Sequence, residues 1–354
     1  MKLSAGPVTL IGTLLVALAG AAPAEAQLGG IGKALGRANQ ARQDFIFTDG
    51  EERQLGSDIS TKLRDRYGVV QDRSVHEYVT LVGTLLAQAS TRPSITWTFV
   101  VLDTDGINAF ASPGGFIHIT RGALALIQSE AELAAVLGHE IAHVTEKHTL
   151  KAIQKSNAVS AAAQASRRDF LSSVAEQAYA SILENSFDRG DETGSDRIGI
   201  GLASRAGYAP QGLASFLTRL TERNKAVSER SGMFASHPEV RARLDALTRA
   251  ISSDKLTATA TVAARYTQRV SFKPVAMASI GQTPAAAPAA SSSGGGMSGL
   301  RALGRDRSSN SSVSSAGSRG VNADRDAPGG PVKTLITVRV TAAQVADFRK
   351  GISG

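Results

Sequence analysis

The segment that decides the fold is Leu137-Gly138-His139-Glu140-Ile141-Ala142-His143, which contains the pattern His-Glu-x-x-His. On an α-helix, residues four positions apart lie on one face, so His139 and His143 can present two imidazoles to a single ion. Glu140 lies one step round the helix, where it can reach a water molecule on that ion. Two neutral nitrogens and a carboxylate, with one position left open, make a catalytic zinc site.

The residues on the N-terminal side favour a helix at this place. Ser129 followed by Glu132 is the pattern of a capping box, which marks a helix start. Six apolar residues then recur along the segment: Leu133, Ala134, Val136, Leu137, Ile141 and Val144. The His-Glu-x-x-His pattern arises by chance in on the order of one chain in a hundred of this length, so the rest of the sequence must supply the context.

The third metal ligand must come from elsewhere in the chain. His148 is nine positions after His139, which is half a turn out of phase if the helix continues, so we predict a polar or packing residue behind the site. The metzincin pattern would need Gly at 146 and His at 149, but these positions hold Glu146 and Thr149, which excludes that class.

A carboxylate from a second helix is the remaining source. Glu192 and Asp196 are four positions apart and so share one helical face. Glu192 can ligate the metal, while Asp196 can accept the second N–H of a ligating histidine and so fix its tautomer.

The two motifs together resemble the zinc metallopeptidases of the HtpX, BepA and CAAX-prenyl-protease type, peptidase family M48. Three further segments are similar to that family, and the resemblance covers roughly residues 47–252: 107–115, 206–210 and 236–238 followed by Arg241. Ser195 departs from the alanine usual there, and Lys147 from the arginine that often precedes His148.

The resemblance implies an α+β, mainly helical fold of the zincin type, with an active-site helix beside a small edge-strand sheet. It implies His139, His143 and Glu192 as ligands of one Zn²⁺ per chain, with Glu140 as the general base. Zinc lowers the pKa of a bound water molecule, and Glu140 would take its proton and pass it to the leaving amine.

Two other site residues follow from the same resemblance. In soluble exported relatives a histidine at the position of His237 can approach the zinc and occupy the open position, which would keep the enzyme latent. His237 would otherwise stabilise the oxyanion, or serve only as a capping or turn residue. Arg241 is a candidate for orienting the site or pairing with a carboxylate.

The segment from Phe116 through Ile117, His118 and Ile119 to Thr120 is rich in β-formers and is predicted as the edge strand beside the active helix. An open edge can bind an extended peptide backbone through main-chain hydrogen bonds, which suits a protease of unfolded chains. His118 is predicted to lie at the surface or rim of this strand and not to bind the metal.

The whole chain has 354 residues, no cysteine and a formal charge of +8, from 39 basic and 31 acidic residues. Without cysteine it has no disulfide framework, thiolate zinc cluster or cysteine nucleophile. The basic excess would favour nucleic acid or an anionic membrane as a partner. Part of that excess lies in residues 281–330, which have no aromatic side chains to stack on bases, so we predict no nucleic-acid partner.

Residues 1–26 have the pattern of a secretory signal peptide. Lys2 precedes an apolar stretch from Val8 to Ala19, and Ala24-Glu25-Ala26 has the small-x-small form of a cleavage site. The apolar stretch is shorter than the roughly 20 residues needed to cross a bilayer, which argues against a membrane anchor. We predict cleavage after Ala26, no transmembrane anchor in the mature form, and a location in the periplasm.

The rest of the chain divides by composition. The predicted segments are a lead-in at 27–46, a metallopeptidase domain at 47–252, an extension at 253–280, a disordered linker at 281–332 and a short strand-helix segment at 333–354. In residues 281–330, Gly, Pro, Ala and Ser occupy 33 of 50 positions, which is typical of a flexible linker. The final segment either docks back, adds its strand to a partner, or is a weakly ordered tail.

We therefore predict an exported zinc metalloendopeptidase that acts on misfolded or unassembled envelope proteins. The resemblance and the leader supply this substrate class, and they also suggest an outer-membrane assembly machinery as a partner. The alternative is a chaperone-like or assembly factor in which zinc is structural or the site is plugged by His237.

Overall fold

The computed structural model describes residues 47–155, 166–184, 187–224, 237, 240–276, 279–280, 324 and 327–352. The predicted signal peptide, the lead-in and most of the predicted linker lie outside these residues. The described residues, all from Phe47 onward, group into one unit. Within the described ranges, no helix combines the length and the apolar character that a membrane span needs.

Helices make up most of the described structure. They are α1 Asp49–Tyr67, α2 Arg73–Gln88, α3 Arg121–Leu126, α4 Glu130–Thr145, α5 His148–Lys155, α6 Arg167–Glu184, α7 Arg189–Ala206, α8 Gly212–Asn224, α9 Val240–Ser253, α10 Ala263–Arg269 and α11 Ala342–Lys350. The mainly helical α+β fold with one small sheet is as predicted.

The sheet has three strands, β1 Thr98–Leu102, β2 Ala109–Ser112 and β3 Phe116–Thr120, in the order β1-β3-β2. Strand β3 pairs in parallel with β1 and antiparallel with β2. The short turn at Pro113–Gly115 folds β2 back onto one side of β3, and β1 covers the other side. The prediction that Phe116–Thr120 forms the edge strand is therefore wrong: β3 is central, and the edge strand that packs against α4 is β2.

His118 lies in the middle of β3 and is fully buried, not at a surface or rim. Its Nε2 lies 2.9 Å from the hydroxyl of Ser60 on α1. Its partners in register are Val100 and Phe110, one on each neighbouring strand. His118 lies between the apolar residues Ile117 and Ile119, a pattern that would place it on an exposed face of a strand. Here that face is covered by α1, and both edges of β3 are paired. The group of described residues that could together hold a metal ion does not include His118.

The residues of the helix α1 explain where it begins and which face it buries. Thr48 and Glu51 form a capping box at its start, and acidic residues in the first turn and basic residues in the last complement the helix dipole. Its apolar positions Leu55, Ile59 and Leu63 are fully buried.

The helix α4 runs through the core, and its residues from Glu130 to Val144 are all buried. Its predicted capping box is only half formed: the Ser129 hydroxyl accepts from the Glu132 N–H at 3.3 Å. The Glu132 carboxylate accepts instead from the N–H of Gln128 at 2.9 Å, and it also binds Arg219 of α8.

The final segment docks back onto the unit, since the ring of Phe348 lies 6.1 Å from that of Tyr78 of α2, centre to centre, and described residues before this segment are packed as well. The Val69 N–H donates to the carbonyl of Val332 at 2.7 Å, and the Gly330 N–H donates to the carbonyl of Asp103 at 2.8 Å. Asp324 is buried and accepts two bonds from the guanidinium of Arg223. The packed part thus includes described residues that the sequence assigned to the linker. Residues 334–340 form neither a helix nor a strand in the described structure, while α11 lies where predicted.

Candidate metal centre

The helix α4 presents His139 and His143 toward the same point. Both side chains are buried, and their Nε2 atoms lie 3.0 Å apart. This separation suits an N–H···N hydrogen bond between the two rings, and it also places both nitrogens where they can share one ion. Glu140, the next residue along the helix, is buried beside them.

The helix α7 brings Glu192 to this point. Its carboxylate oxygens lie 3.5 Å from His143 Nε2 and 3.7 Å from His139 Nε2. In a tetrahedral zinc site with bonds of about 2.0–2.1 Å, two ligand atoms are about 3.4 Å apart. The three separations bracket this value, so the two histidines and Glu192 fit a divalent metal ion.

His237 completes the cluster from a distant part of the chain. Its Nδ1 lies 2.9 Å from Glu192 Oε1 and 3.2 Å from His139 Nε2. One ligand atom from each of the four residues can be chosen so that all lie within 4.8 Å of one another. The His237 nitrogen is thus in position to act as a fourth ligand.

Asp196 supports His139 from the second helix. Its Oδ1 lies 2.8 Å from His139 Nδ1, the ring nitrogen that faces away from Glu192. The guanidinium of Arg243 donates to both Asp196 oxygens, at 2.8 and 2.7 Å. Burial alone would raise the pKa of Asp196, but the ion pair with Arg243 and the contact with His139 lower it to about 2, so the carboxylate stays ionised.

Arg243 is a residue of the centre that the sequence pattern did not reveal, since the family resemblance pointed to Arg241, two positions earlier. Arg241 is exposed on α9, whereas Arg243 is only 2% exposed. Arg243 also reaches Glu192 Oε2 at 3.1 Å and the carbonyl of His237 at 3.2 Å.

The sequence contains a signal that could have identified Arg243. Val240, Arg243 and Leu247 are spaced three and four residues apart, so they share one face of a helix. An arginine within the apolar stripe of a helix needs a buried anionic partner.

His148 lies directly behind His143, but not on a continuous helix. The helix α4 ends at Thr145, Lys147 has a positive φ of 56°, and α5 begins at His148. The phase argument, which assumed a continuing helix, therefore does not apply. The Nδ1 atoms of His148 and His143 lie 2.9 Å apart.

Burial and neighbouring charges shift the pKa values of the titratable groups of the centre in different directions. Burial raises the pKa of Glu140, and its Oε1 has no hydrogen-bond partner among the described residues. Burial would also raise the pKa of Glu192, but His237 and His143 reverse this and hold it well below the usual range. Burial lowers the pKa of His143. For His237 burial acts in the same direction, but the charges of Glu192 and Glu140 outweigh it and raise the pKa.

This arrangement has the donor set of a metallopeptidase: two histidines one helical turn apart, a carboxylate from a second helix, and a buried glutamate beside the first histidine. The model of peptidase family M48 matches residues 73–251, about half of the chain. The chain therefore belongs to peptidase family M48.

Several curated proteins are similar to the chain. The beta-barrel assembly-enhancing protease of Yersinia pestis is 30% identical over 247 residues, which cover 65% of this chain and 49% of that protein. The putative beta-barrel assembly-enhancing protease of Vibrio cholerae is 29% identical over 224 residues, 60% of this chain and 45% of that protein. The mitochondrial metalloendopeptidase OMA1 of Schizosaccharomyces pombe is 27% identical over 58% of this chain and 63% of its own length. The chain spans about half the length of the first two relatives.

Proposed function

We propose that the chain is a zinc-dependent metalloendopeptidase that hydrolyses peptide bonds of misfolded or unassembled envelope proteins. The observation that carries this proposal is the convergence of His139, His143 and Glu192 at separations that suit a tetrahedral ion, with Glu140 beside them. Zinc is the metal that best suits two imidazoles and one carboxylate, with a fourth position for water, in a chain without cysteine.

Glu140 has the position and the environment of a general base. When bound, zinc would polarise the scissile carbonyl and lower the pKa of a water molecule at the site. Glu140 takes the proton of the attacking water and returns it to the leaving amine. Burial raises the pKa of Glu140, which brings it nearer to neutral pH and suits both transfers.

Asp196 and Arg243 keep the ligands in place. The Nδ1 of His139 faces Asp196, so a metal on Nε2 leaves the Nδ1 proton to be shared with an ionised carboxylate. Arg243 binds both Asp196 and Glu192, and its charge compensates the buried carboxylates.

The strand β2 is the best candidate for binding an extended substrate. Among the described strands it pairs with β3 alone, and it packs against α4, which carries His139 and Glu140. All four residues of β2 are buried and α6 also contacts it, so the outer edge becomes open to a peptide only when α6 moves away. A peptide that adds to its edge would bind through main-chain hydrogen bonds, without strict demands on side chains. Binding of this kind suits unfolded substrates. We therefore assign the substrate-binding role that the sequence suggested for Phe116–Thr120 to Ala109–Ser112.

The envelope assignment rests on two observations outside the site. Residues 1–26 have the pattern of a signal peptide, which favours the periplasm. The relatives in Yersinia pestis and Vibrio cholerae are named as proteases that enhance beta-barrel assembly. An outer-membrane assembly machinery is therefore the proposed partner, alongside the unfolded substrates, and nucleic acid is not.

The position of His237 favours a second candidate, a chaperone-like or assembly factor with a plugged site. Its Nδ1 lies at the position of a fourth ligand, 2.9 Å from Glu192 Oε1. The side chain is only 3% exposed, so the fold holds it at this place. In the enzyme this contact would make the resting state latent. In a binding module the contact would be permanent.

Removal of the metal separates these candidates. We expect 1,10-phenanthroline to abolish hydrolysis of unfolded casein, and one equivalent of Zn²⁺, but not Mg²⁺, to restore it. Retention of casein binding without any turnover, in the zinc-loaded protein as well, would favour the binding module. Hydrolysis that survives complete metal removal would contradict both a metal-dependent mechanism and the proposed role of the cluster.

A further inference from the structure

The imidazole of His148 lies against the ring nitrogen of His143 that does not face Glu192. His143 Nε2 points toward His139 and Glu192, while its Nδ1 is 2.9 Å from His148 Nδ1. We propose that His148 is a positioning residue for His143 that acts through this imidazole-imidazole hydrogen bond. The inference rests on the proposed function of the metal centre and extends it to a residue outside the ligand set.

The positions of the protons follow from the metal geometry. A neutral imidazole carries one N–H, so a metal on His143 Nε2 places the proton on Nδ1. For that N–H to donate to His148, the Nδ1 atom of His148 must carry no proton. The single proton of a neutral His148 is then on Nε2. This second N–H faces Asp191, whose Oδ1 lies 3.4 Å away. The carboxylate of Asp191 thus acts on His143 through His148.

The two ligand histidines of α4 are consequently held in different ways. His139 has a carboxylate directly at its outer nitrogen, at 2.8 Å from Asp196. At the outer nitrogen of His143 lies the imidazole of His148, and the carboxylate of Asp191 lies on the far side of that imidazole. Both arrangements fix the tautomer that leaves Nε2 free for the metal.

An ion cluster around the buried carboxylate of Glu52 fixes the turn that precedes His148. The left-handed backbone of Lys147 turns the chain so that α5 starts behind α4, an unusual conformation for a residue other than glycine. Its Nζ lies 3.1 Å from Glu52 Oε2, and Glu52 is 1% exposed. Glu52 also binds Arg92 and accepts from the N–H of Gly114. The turn before His148 is therefore anchored to α1 and to the end of β2.

The neighbours of His148 leave it little freedom. The Ser195 hydroxyl lies 3.4 Å from its Nδ1, and the ring of Phe187 lies 5.9 Å from it, centre to centre. Phe187 also stacks on His143 at 4.2 Å. A purely packing role for His148 would be met by any side chain of similar size, whereas a positioning role requires an acceptor for the His143 Nδ1 proton.

The test compares His148→Phe with His148→Gln in the full chain. Phe fills the space without an acceptor, while the Gln carbonyl can accept the His143 proton. We expect His148→Phe to weaken zinc affinity about 10- to 100-fold, as substitutions behind metal ligands do. We expect His148→Gln to retain zinc affinity within a few-fold of wild type. Zinc affinity is measured by competition with a chelating dye, independently of hydrolysis.

His76→Phe is the matched control, because His76 is also buried and its Nε2 bonds the carbonyl of Val70, away from the metal centre. It should lower the melting temperature without changing zinc affinity. If His148→Phe does not fold, Asp191→Asn replaces it, with an expected several-fold loss of zinc affinity at unchanged melting temperature of the metal-free protein.

Equal zinc affinity in His148→Phe and wild type, or equal losses in the Phe and Gln variants, would overturn the inference. In the replacement experiment, unchanged zinc affinity in Asp191→Asn would do so. Failure of the wild-type protein to bind zinc at all would instead overturn the proposed function. The two failures are thus distinguishable.

Discussion

Gly138 of α4 lies against Gly199 of α7 where the two helices cross. A β-carbon on Gly138 would sit 2.7 Å from the carbonyl oxygen of Gly199, and one on Gly199 would sit 2.6 Å from the backbone nitrogen of His139. Neither position has room for a side chain, so the two backbones meet directly. Because His139 follows Gly138 and Glu192 is two turns before Gly199, this contact sets the distance between the histidine pair and Glu192.

Replacing Gly199 should therefore damage the metal centre. We expect Gly199→Ala to lower the free energy of unfolding by about 1–3 kcal/mol through overpacking. It should also weaken zinc binding, because α7 must move away from α4. Chemical denaturation and zinc titration measure the two effects.

Gly194→Ala is the matched control on the same helix. No atom lies within 4 Å of the position that its β-carbon would occupy. We expect a gain in stability of about 0.5–1 kcal/mol from the higher helix propensity of alanine, with zinc affinity unchanged. Indistinguishable behaviour of the two variants would contradict the assignment of the crossing.

Arg243, and not Arg241, should be required for the centre. Arg243→Gln leaves Asp196 and Glu192 buried without their cation, and loss of one partner of a buried ion pair typically costs about 3–5 kcal/mol. Arg241→Gln removes an exposed charge and should change stability by less than about 0.5 kcal/mol. Unfolding curves of both variants decide the question, and an equal loss in both would refute this distinction.

His237→Ala should increase hydrolysis of casein, because the variant opens the position that His237 Nδ1 occupies beside Glu192. We expect a several-fold rise in rate at unchanged zinc content, with Arg241→Ala as the control from the same region. An unchanged rate would assign His237 a structural role only. A lost rate would indicate that it supports the transition state.

His118 should make stability depend on pH. Burial lowers its pKa to about 3, from about 6.5 in the unfolded chain. Between these values the unfolded state binds more protons, so this contribution is complete above pH 6.5 and is lost as the pH falls. The loss is about 2 kcal/mol by pH 5.

His118→Gln removes this titration while it keeps a polar partner for Ser60. The difference in unfolding free energy between pH 7.5 and pH 5, measured in urea, should be smaller in the variant by that amount. An equal difference in both proteins would mean that His118 does not titrate on unfolding.

The sequence predicted the parts of the site that follow from local spacing. His139 and His143 are one turn apart, Glu192 and Asp196 likewise, and the structure brings these residues together. It did not predict how the chain leaves the active helix, because a left-handed Lys147 depends on a distant partner, Glu52. It also could not rank Arg241 against Arg243, since the choice rests on which face of α9 packs on α7.

The sheet was misjudged for a similar reason. The pattern at Phe116–Thr120 indicates a strand but carries no information on its neighbours, so the central position of β3 depends on β1 and β2 pairing with it. The docking of the C-terminal segment is also a long-range effect. It rests on contacts such as Val69 with Val332 and Arg223 with Asp324.

The most direct test of the central claim is zinc content together with casein hydrolysis for wild type and Glu140→Gln. We predict one zinc per chain in both proteins, because Glu140 is not a ligand, and hydrolysis in the wild type alone. Hydrolysis by Glu140→Gln at the wild-type rate would contradict the assignment of Glu140 as general base and, with it, the proposed function of the centre.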